Sequence, residues 1–148
     1  MTAGVAEKSL HHVSLCVSDL ARAMGFYRDL LGLPELPRPD LGIPGAWLGV
    51  GGGLKLHLIE NPERAPTGAD RRLSIADPHF ALWTDDVPAM VEALRRKGLE
   101  VLENRHRTVS FQQAYLKDPD GNMVEFIGPA APARDDQARR LDGARPSP

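Results

Sequence analysis

A single cysteine, Cys16, leaves the chain no partner for an intramolecular disulfide. No stretch approaches the ~18–20 consecutive apolar residues that a membrane span needs. The segment Met1–Ser9 lacks the apolar core of a secretory signal, and with the lone cysteine this gives the expectation of a cytoplasmic address. A dominant charge is missing too: 18 Lys plus Arg against 20 Asp plus Glu give a net charge of -2. There is no global field to draw in a polyanion, so nucleic acid is not an expected partner. The local basic groups are Arg95-Arg96-Lys97, which suits a helix C-terminus, and Arg105-His106-Arg107, which reads as a solvated loop or as a contact for an acidic substrate.

What remains is an ordinary globular composition, 42% apolar and 26% charged over 148 residues. A chain of this length buries roughly 68–70% of its unfolded surface, enough for a core without staples. The order of elements can be read from period and punctuation. From Leu10 to Val17 the pattern alternates, with Val13, Leu15 and Val17 on one face and His12, Ser14 and Cys16 on the other. Ser18-Asp19 offers an N-cap, and Leu20, Met24, Tyr27, Leu30 and Leu31 recur at helical spacing until Gly32. A short second strand and a proline-rich loop, Leu36 to Gly45, lead into Ala46–Val50 and Leu54–Ile59, a hairpin around Gly51-Gly52-Gly53.

The cycle then repeats. After Asn61–Asp77, rich in Pro, Gly, Arg and Asp, His79–Thr84 alternates as a strand. Asp85-Asp86 caps a helix ending at Gly98, Leu99–Leu102 resumes as strand, and Gln113–Lys117 and Asn122–Ile127 flank the turn Asp118-Pro119-Asp120-Gly121. The expected fold is α+β: two tandem βαβββ modules forming a curved, barrel-like mixed sheet with helices outside. Its divisions are a lead (1–9), a first module (10–60), a linker (61–77), a second module (78–128) and a flexible tail (129–148).

The repeat holds residue by residue. His12 falls on His79, 67 positions later, with Val13 on Phe80, Leu15 on Leu82 and Asp19 on Asp86; one insertion further on, Trp47 falls on Tyr115 and His57 on Glu125, 68 positions later. Two polar pairs therefore take equivalent places on the less apolar strand faces of similar modules. If the modules pack about a pseudo-twofold axis, His12, His57, His79 and Glu125 share one concavity. Three imidazoles and a carboxylate suit one divalent ion among Zn, Ni, Co, Mn and Fe. His11 shares a face with Val13 and is expected to turn toward the helix layer. Cys16 reads as a small filler, and Lys55 and Lys117 as rim lysines.

From Leu10 to Gly128 the chain resembles the vicinal oxygen chelate superfamily, which includes glyoxalase I, methylmalonyl-CoA epimerase, extradiol dioxygenases, fosfomycin-resistance transferases and bleomycin-binding proteins. The resemblance rests on His12-Val13-Ser14-Leu15-Cys16-Val17-Ser18-Asp19-Leu20, on Phe26-Tyr27-Arg28-Asp29-Leu30-Leu31-Gly32, and on Asp118-Pro119-Asp120-Gly121-Asn122-Met123-Val124-Glu125. It implies that His12, His79 and Glu125 are metal ligands. His57 stands where glyoxalase I and the epimerase place Glu or Gln.

Four readings of function follow. The first is a glyoxalase-like lyase or isomerase that stabilises a metal-chelated enediolate or oxyanion, with Glu125 as general base by resemblance to glyoxalase I. The second is a ferrous dioxygenase using His12, His79 and Glu125. The third is thiol transfer, for which Tyr115 matches a substrate-contacting tyrosine, although the sequence displays no basic cradle. The fourth is a non-catalytic protein that sequesters a small ligand such as a drug or antibiotic, with Trp47, Trp83 and Tyr115 lining a pocket. Ser14, on the face of His12, completes the substrate-binding candidates. Open sheets must pair, within one chain or between two, which predicts a homodimer and leaves open whether His12 and His57 meet His79 and Glu125 of the same chain; the loops Pro34–Gly45 and Asn104–Gln112 are expected to select the small-molecule substrate.

Overall fold

A computed structural model describes residues 8–105 and 110–129. Strand β1 (His12–Val17) enters helix α1 (Leu20–Met24), which widens into a π-helical turn over Gly25–Leu30; β2 (Glu35–Leu36), β3 (Gly45–Gly49) and β4 (Lys55–Glu60) follow. The second cycle is β5 (His79–Trp83), α2 (Val87–Arg96), β6 (Leu102–Arg105), β7 (Phe111–Lys117) and β8 (Met123–Pro129). These form two four-stranded mixed sheets of matching order, β1-β4-β3-β2 and β5-β8-β7-β6, with a parallel first pair and antiparallel neighbours. That is the expected α+β pair of βαβββ modules, with the two sheets unclosed.

The helices start where the sequence offers a cap. Asp19 Oδ1 accepts the Arg22 amide at 2.8 Å, and Asp86 Oδ1 accepts that of Ala89 at 2.9 Å, each satisfying an amide that the first turn leaves free. Gly32 and Gly98 end them with φ of 76° and 81°. Apolar positions at helical spacing, Ala23, Met24, Phe26 and Tyr27 in the first and Val87, Val91 and Leu94 in the second, are buried. They pack on the matching sheet faces, Val17, Ala46, Leu48, Leu56 and Leu58 in the first module and Leu82, Ala114, Leu116, Val124 and Phe126 in the second. All belong to one core, so the modules are fused through their helix-bearing sides while the polar sheet faces stay outside it.

A polar seam joins the modules. Tyr27, fully buried, donates its hydroxyl to Asp118 Oδ2 at 2.9 Å; Ser18 and Arg22 donate to Asp120, and Asn122 Nδ2 donates to the Cys16 carbonyl. Burial, then the charge of Asp118 and its hydrogen bond, push the Tyr27 phenol well above its ordinary range.

Two expectations change. The strand after α2 spans Leu102–Arg105 rather than Leu99–Leu102, because Leu99 N–H bonds back to the Leu94 carbonyl and the Val101 carbonyl accepts from Arg95, so this stretch closes the helix. His11 precedes the regular strand and is exposed, with its ring edge-on to His12 instead of in the helix layer. The segment 61–77 is a fitted strap over the second sheet. Leu73, 8% exposed, packs on Tyr115 and Met123, and Lys117 Nζ donates to the carbonyls of Gly68 and Arg71. The tail beyond residue 129 and the Arg105-His106-Arg107 side chains lie outside the description.

Candidate functional site

Register decides which side chains share a face. In the first sheet, His12 lies beside Lys55, Ser14 beside His57, and Trp47 beside His57 on the other flank. The consequence is a three-ring stack: His57 is nearly parallel to His12 (centroids 4.2 Å apart, 11°) and to Trp47 (4.7 Å, 13°). Lys55 Nζ sits 4.9 Å above the Trp47 ring, within cation–π range. His57 Nε2 is buried and makes no hydrogen bond. Desolvation, followed by the neighbouring His12, Lys55, His11 and Arg38, lowers the His57 pKa, which keeps the imidazole neutral and its lone pair available.

In the second sheet, Ala81 and Tyr115 flank Glu125, and His79 and Lys117 flank Met123. Glu125, 4% exposed, accepts from Gln113 Nε2 at 2.7 Å through Oε1, and its Oε2 lies 3.0 Å from His79 Nε2. His79 Nδ1 is 2.7 Å from the Asp77 carbonyl. A carbonyl can only accept, so Nδ1 carries a proton and, in the neutral ring, Nε2 turns its lone pair toward a carboxylate. Two donor atoms facing each other in this way need a shared cation, either a proton or a metal. The orientation of the ring by a backbone carbonyl is the usual support of a ligating histidine. Tyr115 is hydrogen-bonded to Glu125; burial first, then the carboxylate's charge, raise its pKa.

The structure thus brings the four candidate ligands together two by two, His12 with His57 and His79 with Glu125. His12 and His79 also line one cavity of about 410 Å³ at the meeting of the sheets, with Leu10, Lys55, Phe80 and Trp83. Among the described residues no three His, Cys, Asp or Glu side chains converge closely enough to hold one ion. Each half offers two donor side chains of the types that divalent metals take. Of the substrate-binding candidates, Ser14 is exposed beside His57, Trp47 is in the stack, Tyr115 is buried beneath the strap, and Trp83 is 66% exposed, with its indole N–H bonded to Asp85. Sequence reasoning missed Gln113, which donates to Glu125 and whose alternation with Tyr115 was the available signal.

Fold and residues together describe a paired βαβββ protein with histidine and carboxylate side chains on its open sheet faces. Residues 9–126 match the family model described as the Glyoxalase/Bleomycin resistance protein/Dioxygenase superfamily, and the chain belongs to that family, the vicinal oxygen chelate superfamily. It is similar to a lactoylglutathione lyase of Haemophilus influenzae, 34% identical over 78% of this chain and 89% of that protein. It is also similar to the metallothiol transferase FosB of Staphylococcus haemolyticus, 26% identical over 80% of this chain and 82% of the relative. Among solved structures, a glyoxalase/dioxygenase from Nostoc punctiforme superposes with a TM-score of 0.70 over 87% of this chain and 98% of its own, at 23% identity, a likeness of fold. No helix among the described residues is long and apolar enough to cross a membrane.

Proposed function

We propose that this protein is a divalent-metal-dependent lyase or isomerase of glyoxalase-like type, working as a homodimer in which His12 and His57 of one copy and His79 and Glu125 of the second hold one ion. The observation that carries the reading is the facing pair of His79 Nε2 and Glu125 Oε2, with the Nδ1 proton fixed by a carbonyl. The buried, unbonded Nε2 of His57 is its counterpart on the other sheet. The two sheets are unclosed, with β2 and β6 at their far edges, which gives a second copy a place to complete the set. The lyase relative and the metallothiol transferase relative support metal chemistry on this scaffold.

A bound ion supplies Lewis acidity toward two neighbouring substrate oxygens. Glu125 takes a proton from the adjacent carbon and returns it to the neighbouring atom. Gln113, Tyr115 and His79 hold the carboxylate in place for that transfer, and the strap residue Leu73 helps exclude water beside it. Trp47, Ser14 and Trp83 present the surface on which the substrate rests.

The test is metal content and assembly state measured together. Protein reloaded with each candidate ion should hold one equivalent per His12/His57/His79/Glu125 set and run as a dimer, and H57A should lose the ion while staying folded. Activity on hemithioacetals of 2-oxoaldehydes should vanish in E125Q. A monomer that retains stoichiometric metal would refute the sharing between copies. Protein that takes up no metal, and whose ligand affinity ignores chelators, would be a sequestering protein instead.

A further inference from the structure

The strap between the modules contains two turns, 68–71 and 74–77, each closed by an amide-to-carbonyl bond, of 3.1 Å and 3.0 Å. Leu73, between them, is seated on Tyr115 and Met123. An ion pair of 3.3 Å from Arg71 Nη2 to Asp77 Oδ1 ties one turn to the other. The first turn is held from the sheet: Lys117 Nζ donates to the Gly68 carbonyl at 2.7 Å and to that of Arg71. The second ends at the candidate site, where the Asp77 carbonyl lies 2.7 Å from His79 Nδ1. Lys117 and His79 flank Met123 in the register, so both ends of this chain of contacts rise from one row of one sheet face. Gly68, Arg71, Asp77, His79, Lys117 and Met123 also line a single cavity of about 590 Å³.

A rim lysine would leave its ammonium in water. Lys117 is half-buried and aims it at two backbone carbonyls, which fixes main chain rather than neutralising an acid. These charge-assisted bonds are the strong link of the chain, and the pair from Arg71, whose side chain is 72% exposed, is the weak one. What is held at the far end is a tautomer. A free neutral imidazole can carry its proton on either nitrogen. A carbonyl at Nδ1 keeps it there and leaves the Nε2 lone pair directed at Glu125 Oε2, 3.0 Å away.

We propose that the strap 61–77 is a positioning element of the candidate site: latched by Lys117, it acts through Arg71 and Asp77 to hold His79 in the Nδ1–H form that turns Nε2 toward Glu125. Lys117 is accordingly a positioning residue. That the orientation serves to ligate an ion rests on the function proposed above; the coupling of the strap to the tautomer does not.

Ring nitrogen NMR on the full-length metal-free protein, at a pH above the ordinary histidine range and with H79Q assigning the signals, reads the tautomer directly. Wild type should show His79 protonated at Nδ1 alone. K117M should speed amide hydrogen exchange within 61–77 by about tenfold or more, leave the amides of β7 and β8 protected, and shift His79 to a mixture of tautomers. K117R should restore part of the Nδ1–H form, since a guanidinium also donates to carbonyls, and K97M on the exposed end of α2 should change nothing. R71A removes only an exposed group, so it leaves the fold intact and should move His79 in the same direction by less. Metal affinity, measured by competition with a chelator, should weaken about tenfold in K117M. A wild-type His79 protonated at Nε2, a K117M strap no more exchangeable than wild type, or a freed strap with His79 unchanged in both K117M and R71A would overturn the proposal. Wild-type protein that takes up no metal, with a His79 tautomer that still follows Lys117, would remove the metal centre and leave the positioning role standing.

Discussion

Replacing Tyr27 by Phe tests whether the seam between the modules is held by a hydrogen bond or by packing alone. The hydroxyl is fully buried and donates to Asp118 Oδ2 at 2.9 Å. The same oxygen also accepts from Asn122 Nδ2 at 2.8 Å, and Oδ1 accepts the amides of Asp120 and Asn122, so the carboxylate keeps three donors after the change. Y27F therefore removes one charge-assisted bond without orphaning its acceptor, which puts the loss at the lower end of the usual range, about 1.5 kcal/mol. With a urea slope of about 1.5–2 kcal/mol/M the midpoint should fall by close to ~1 M, with the slope itself unchanged. D118N is harsher, because the amide presents N–H groups to donors that need an acceptor, and about 3 kcal/mol is expected. The double mutant should then lose at least ~1 kcal/mol less than the sum. A Y27F midpoint indistinguishable from wild type, or additive losses, would refute the assignment of the seam to this bond.

Gly121 has a φ of 97°, and a Cβ there would lie 2.6 Å from the Ala69 amide nitrogen and the Gly68 carbonyl carbon, both backbone atoms that cannot step aside cheaply. G121A should cost about 2 kcal/mol or more in urea unfolding and increase proteolysis within 61–77; unchanged stability would mean that the strap is not packed on the turn. In metal-free protein, NMR titration should place the His57 ring below the ordinary histidine range, since burial and nearby cations penalise the imidazolium. Removing a cation relieves part of that penalty, so K55Q should move the His57 pKa upward; a downward shift or none would contradict the placement of Lys55.

The elements and their order were legible because they rest on local rules. Period-two alternation placed Val13, Leu15 and Val17 toward the helices, and Asp19 and Asp86 announced the helix starts that their side chains cap. The repeat paired His12 with His79 and His57 with Glu125 as equivalent positions, and the register seats each on the open face of its sheet. What stayed hidden has no periodic neighbour to give it away. Leu73 is a lone apolar residue among Pro, Gly and Arg, and only the fold reveals that it lies against Tyr115 and Met123. Arg38 sits among prolines, where nothing in the spacing tells that its guanidinium turns back to the Ile43 carbonyl.

The grouping of the candidate ligands was hidden for a different reason. Equivalence by repeat predicts that positions correspond, whereas chelation requires that they meet, and the two are separate facts about a duplicated fold. The modules share one core through their helix-bearing faces, and that choice of packing surface turns the polar faces outward. Hydrophobic pattern fixes which face of each sheet is buried but says nothing about what completes the other face. Metal content measured beside oligomeric state is informative for that reason: it asks what meets these faces, the one relation on which the burial of apolar residues within a single chain places no constraint.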